Sequence, residues 1–111
     1  MKIPYKGIEL KLAIMALDEN KLTEESGEKV NAVGVKYHIT DDSSTAELNK
    51  AVAEDNGITV ETLVNSPNMS KMVSDYTITA IHEIVGVMEE DGLTNKEAWA
   101  IISVQLGLLN D

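Results

Sequence analysis

Ser66-PNMSKMVSDYTITAIHEIVGVMEEDGLTNKEAWAIISVQLGL-Leu109 is the stretch on which the reading of this chain turns. Met69, Val73, Tyr76, Ala80, Ile84, Val87 and Met88 recur at spacings of three and four, the signature of one face of a helix. Ile78, Ile81 and Val85 widen the apolar arc beyond what one neighbouring helix can cover. The remaining stripe, Lys71, Asp75, Thr79, His82, Glu83, Gly86, Glu89 and Glu90, is polar and acidic. Asp91-Gly92-Leu93 predicts a left-handed stop in which Leu93 reaches back to Met88. Thr94-Asn95-Lys96-Glu97 predicts a capping box that opens the next helix. In that helix Ala98, Trp99, Ile102, Leu106 and Leu109 share one face, and Ile101, Val104 and Leu108 share the other. A helix apolar on both sides is normally covered on both sides. The expected result is a helical hairpin that self-associates, most simply as a dimer, with Trp99, Ile101, Val104 and Leu108 at the interface.

Outward from the hairpin, the first third of the chain alternates. Ile8-Glu9-Leu10-Lys11-Leu12 has the period of a half-buried strand, which is extended here to residues 8–17, although Leu10, Ile14 and Leu17 also fall at helical spacing. The acidic segment from Asp18 to Glu28 reads as an exposed loop. Val33, Val35, Tyr37 and Ile39 alternate with Gly34, Lys36, His38 and Thr40 as a second strand. Ser44-Thr45-Ala46-Glu47 is another capping box, opening a helix through Asp55 that Asn56-Gly57 closes. Residues 58–64 fit either a strand or a short helix capped by Thr59, and the helix is preferred. The expected fold class is α+β: a short antiparallel β-ribbon at the N-terminus, packed on a helical C-terminal two-thirds dominated by the hairpin. All 111 residues are expected to form one domain, with a β-rich part at 1–40 and a helical part at 44–109.

Composition narrows the function. With 19 acidic residues, 9 lysines and no arginine, the formal net charge is −10. Phosphate neutralisation and base readout need a basic footprint, so direct nucleic-acid binding is not expected. Cysteine is absent, which removes disulfides, thiolate nucleophiles and cysteine zinc sites together. No signal-peptide pattern and no run of about 20 apolar residues is present, so the expected location is cytoplasmic, without membrane association.

No constellation points to catalysis. The two histidines are His38 and His82, and the residue four after His82 is Gly86 rather than a second metal ligand. The acidic pairs match no calcium loop, and the seven glycines form no phosphate-binding cluster. Gly92 to Trp99 resembles the turn of a DNA-binding helix-turn-helix, yet offers Lys96 alone to a groove. The expectation is therefore a non-enzymatic protein without cofactor or metal. It binds and modulates or inhibits a partner with a basic surface, through Asp75, Thr79, His82, Glu83, Glu89 and Glu90. In size and charge the chain resembles small acidic phage-borne inhibitors that occupy nucleic-acid-binding sites as DNA mimics. The alternatives are a ligand-sequestering or regulatory oligomer with an inter-subunit pocket, and an assembly or scaffolding subunit.

Overall fold

The computed structural model describes residues 4–18, 21–40 and 42–105. These form six helices: α1 (Ile8–Met15), α2 (Glu24–Lys36), α3 (Thr45–Asp55), α4 (Val60–Val64), α5 (Met69–Glu90) and α6 (Asn95–Gln105). Among the described residues there is no strand, so the fold is all-helical and the expected α+β class with its N-terminal ribbon is overturned.

Neither expected strand forms, for reasons visible in burial. Residues 8–15 are helix α1, and of the second stretch residues 33–36 are the last turn of α2 while 37–40 are turn and loop. In α1 the inward positions are Leu10 and Ala13, with Ile14 and then Leu17 half-buried, a helical progression. Ile8 and Leu12, which alternation places beside Leu10, point into solvent instead. Ala13, Met15 and Ala16 contribute good helix formers to a window too short for alternation to be decisive. In α2 the inward set is Ser26, Val30, Val33 and Gly34, continued by Tyr37 in the turn that follows, again at helical spacing, and Val35 is exposed. The expected acidic loop is in part the first turn of this helix. Thr23 caps it by accepting the Ser26 N–H at 3.1 Å. Glu24 and Glu25 lie in its first turn and Lys36 in its last, as the helix dipole favours.

The other local signals produce the expected geometry. Ser44 accepts the Glu47 N–H at 3.1 Å at the start of α3, and Thr59 accepts the Thr62 N–H at 3.1 Å at the start of α4. Thr94 and Glu97 exchange bonds reciprocally: the Glu97 N–H donates to Thr94 Oγ1 at 3.1 Å, and the Thr94 N–H donates to Glu97 Oε1 at 3.0 Å. At the end of α5, Gly92 takes φ 99°. The Leu93 N–H then bonds back to the Met88 carbonyl at 3.1 Å, and both side chains are buried.

The chain divides into two compact units. One holds Asn31–Ile84 and the other Lys2–Val30 with Val85–Asp111, so α2 and α5 each contribute to both. In the first unit α3 packs on α4, and Val52, Ala53 and Leu63 form a core lined by Leu48, Ile58, Met69, Met72, Val73 and Tyr76. Tyr37 meets the Tyr76 ring edge-on at 5.4 Å between centroids. In the second unit α1 packs on α6. The buried residues of α6 are Glu97, Ala98, Trp99, Ala100, Ile102 and Ser103, with the Ser103 hydroxyl donating to the Trp99 carbonyl at 2.7 Å.

Candidate functional site

Two acidic runs more than sixty residues apart in sequence meet in the second unit. Glu24, Glu25 and Glu28 are exposed on the first turns of α2, and Glu89 and Glu90 are exposed at the end of α5, followed by the partly buried Asp91. Lys29 joins them. Its ammonium lies 3.2 Å from Asp91 Oδ1 and 3.9 Å from Glu25 Oε1. Hydrogen bonding and charge from Asp91 chiefly raise the Lys29 pKa, with Glu25 and Glu90 adding to the effect. Asp91 is held below the usual carboxylate range by the Ser26 hydroxyl first and Lys29 next, against the opposing effect of burial. The Ser26 hydroxyl lies 3.0 Å from Thr23 Oγ1, and the buried Oδ2 of Asp91 has no hydrogen-bond partner among the described residues. The Ser26 effect on Asp91 is therefore one of proximity and dipole more than of a formed bond.

The residues expected to make the partner surface are only partly brought together. Asp75, Thr79 and His82 are exposed on α5 within the first unit, and the Thr79 hydroxyl is engaged, donating to the Asp75 carbonyl at 3.0 Å. Glu83 is half-buried and accepts from Lys36 Nζ at 3.1 Å. Tyr37 and then Lys36 hold its pKa below the ordinary value. Glu89 and Glu90 belong to the second unit and are the two members that fall in the acidic surface. Of the expected self-association residues, Trp99 is buried, Ile101 half-buried and Val104 53% exposed, while Leu108 lies outside the described residues. Sequence reading missed Glu24, Glu25, Glu28 and Lys29. The signal was present in the Thr23 cap and the Glu25–Lys29 pair at helical i, i+4 spacing.

A second feature lies in the first unit. The α2 C-terminus closes with the Ile39 N–H on the Gly34 carbonyl at 3.0 Å and the His38 N–H on the Val35 carbonyl at 3.1 Å. His38 therefore occupies, at φ 56°, the left-handed position that Gly92 fills after α5. A Cβ on Gly34 would stand 3.0 Å from Thr40 Cγ2, so a larger residue here requires the Thr40 side chain to give by a few tenths of an ångström. His38 faces an open cleft of about 240 Å³ with Glu47, Lys50, Ala51 and Glu54, and its Nδ1 is 3.8 Å from Glu47 Oε2. That volume is below the roughly 300–1,000 Å³ of ordinary small-molecule sites.

No family model, curated protein or solved structure matches the chain. Among the described residues no group of three or more His, Asp or Glu side chains is arranged to hold a metal ion, and no helix is long and apolar enough to cross a membrane.

The paired carboxylates make stability depend on pH. Glu97 is kept below the usual range by the Thr94 backbone N–H first, and Lys21 also contributes at 3.2 Å. Glu83 and Asp91 are lowered as well. A carboxyl whose pKa is lower folded than unfolded stabilises the fold above its unfolded value, and that contribution disappears as pH falls through the folded one. Excess negative charge acts in the opposite sense, because protonating the 19 acids first relieves repulsion. The difference between wild type and Glu97→Gln isolates the paired group. In urea titrations the wild type is the more stable at pH 7, and the two converge as pH drops below about 4. A gap that stays constant down to pH 3 rules out the ionised form as the source.

Proposed function

We propose that this chain is a non-enzymatic acidic interaction protein, and that the surface built from Glu24, Glu25, Glu28, Glu89, Glu90 and Asp91 binds a basic patch on a partner protein and modulates or inhibits it. In its sharpest form the partner's patch is a nucleic-acid-binding site, which the protein occupies as a DNA mimic. The observation that carries the reading is the meeting of two separate acidic runs on one surface, with Lys29 as the cation that sits among them. Bringing like charges together opposes folding, and an opposite charge on a partner relieves that cost. The formal charge of −10 extends the attraction beyond contact distance and speeds encounter.

The test begins with capture from lysate on the immobilised chain at low salt, followed by measurement with the purified partner. Affinity falls roughly tenfold or more as salt rises from about 50 to 200 mM, because the Debye length shortens toward the contact distance. Glu24/Glu25/Glu28→Gln and Glu89/Glu90→Gln each weaken binding, and duplex DNA competes if the partner's site is one for nucleic acid. A partner that binds both neutralised variants as tightly as wild type overturns the assignment of this surface. Failure to capture any basic protein at low salt overturns the function.

A further inference from the structure

Asn56 and Asn65 end consecutive helices of the first unit in the same conformation. Their backbones take φ −93°, ψ 0° and φ −95°, ψ −2°. Each side-chain amide folds back one turn: Asn56 Nδ2 donates to the Val52 carbonyl at 2.8 Å, and Asn65 Nδ2 donates to the Glu61 carbonyl at 2.9 Å. Both residues are exposed. What differs is the residue that follows, Gly57 after Asn56 and Ser66 after Asn65. Gly57 sits at φ 67° with nothing within 4 Å of where a Cβ would stand, so no side chain shields its nitrogen. We propose that Asn56-Gly57 is a site of spontaneous deamidation in the native protein, that Asn65-Ser66 is not, and that the hydrogen bonds closing α3 set the rate.

In this reaction the Gly57 backbone nitrogen attacks Asn56 Cγ. An N–Cγ bond forms and the Cγ–Nδ2 bond breaks, and Nδ2 leaves as ammonia with its own two hydrogens and the proton from Gly57. Water, the one co-reactant, then opens the five-membered imide at either carbonyl. Breaking the bond to Cγ leaves aspartate, whereas breaking the bond to the backbone carbonyl carbon leaves isoaspartate and routes the main chain through Cβ and Cγ. A side chain on the following residue crowds the attacking nitrogen, so glycine permits the step and Ser66 hinders it. The folded cap opposes ring closure at Asn56. At ψ 0° the Asn56 Cβ and the Gly57 nitrogen are not eclipsed about the Cα–C bond, as the ring requires. The Gly57 N–H is held by the Glu54 carbonyl at 3.1 Å, and the Ile58 N–H by the Ala53 carbonyl at 3.0 Å. The last turn must therefore open first, and helix ends open at little cost. The product closes the turn less well. A carboxylate has no hydrogen to donate to the Val52 carbonyl, and its charge joins Glu54 and Asp55 at the end of α3, where the helix dipole is already negative. Isoaspartate also adds a main-chain carbon two residues before Ile58, which packs on the core of Val52, Ala53 and Leu63. The modification thus runs in one direction and loosens the packing of α3 on α4.

Peptide mapping by mass spectrometry on the full chain, kept for weeks in mildly alkaline buffer, tests this. Cleavage at Glu54 and Glu61 puts Asn56 and Asn65 on separate peptides. The Asn56 peptide should gain one dalton and become a substrate for isoaspartyl methyltransferase, while the Asn65 peptide stays intact. In guanidinium chloride, which opens the cap throughout, conversion at Asn56 should be at least about tenfold faster than in the native chain. Gly57→Ala in the same solvent should slow it at least about tenfold, and because the chain is unfolded there, any strain of alanine at φ 67° is without effect. Asn56→Asp, which reproduces the charge and the lost donor without the added carbon, should melt below fresh wild type. The isoaspartyl form, separated by anion exchange, should melt lower still. A native chain in which Asn56 stays intact over that period, or converts no faster than Asn65, overturns the site. Equal rates in the native and unfolded chains overturn the role of the cap. An isoaspartyl form that melts with fresh wild type overturns the loosening of the core.

Discussion

Leu10→Ala lowers the free energy of unfolding by about 3 kcal/mol, while Ile8→Ala and Leu12→Ala, measured at ~2 μM, change it by less than about 0.5 kcal/mol. Leu10 is 1% exposed and faces inward from α1, so truncation removes its transfer free energy and leaves a cavity that the surrounding side chains fill only in part. Ile8 and Leu12 are outward and lose little. The contrast has diagnostic value because a strand puts Ile8, Leu10 and Leu12 on one face, and all three truncations would then cost similar amounts. Chemical denaturation of the three single variants at low concentration separates the possibilities. Three equal losses would contradict the helix.

The first unit has its own equivalent. Leu63→Ala costs about 3 kcal/mol, whereas Val60→Ala and Val64→Ala on the same five-residue helix stay within about 0.5 kcal/mol. So short a helix has no stability of its own, since nucleation costs more than one turn returns. What holds α4 is the Thr59 cap and the burial of Leu63 beside Val52 and Ala53, walled by Leu48, Ile58, Met69, Met72, Val73 and Tyr76. Urea unfolding followed by circular dichroism gives the magnitudes. A Leu63→Ala loss under 1 kcal/mol would mean that the site collapses around the smaller side chain or that α4 is undocked.

Half of the acidic surface is legible in the sequence and half is not. Glu89 and Glu90 stand out on the polar stripe of the long helix, because a 22-residue amphipathic pattern has enough repeats to define its own faces. Their counterparts Glu24, Glu25 and Glu28 are hidden in what reads as a polar loop. The apolar residues that follow, Val33, Val35, Tyr37 and Ile39, alternate as in a strand. Both periods fit a window that short. The Glu25–Lys29 spacing hints at a helix, but nothing local pairs Lys29 with Asp91, which is 62 residues away. The outward face of α1 is hidden in the same way, since alternation assigns Ile8 and Leu12 to the core.

Structure closed by hydrogen bonds within a few residues can be read directly. The caps at Ser44, Thr59 and Thr94, the return of Leu93 to Met88 across Gly92, and the long helix all belong to this class, because both partners of each bond lie within about one turn. The helical state of α1 and α2 cannot. Local preference there is nearly balanced, and the balance is tipped by burial of Leu10 and Ala13 on α1, which packs on α6 about ninety residues later in the chain. Which side chains face outward, and therefore which surfaces are acidic and which are apolar and open, follows from that packing. Hydrophobic burial is non-directional and acts between residues distant in sequence, so only the assembled fold decides it.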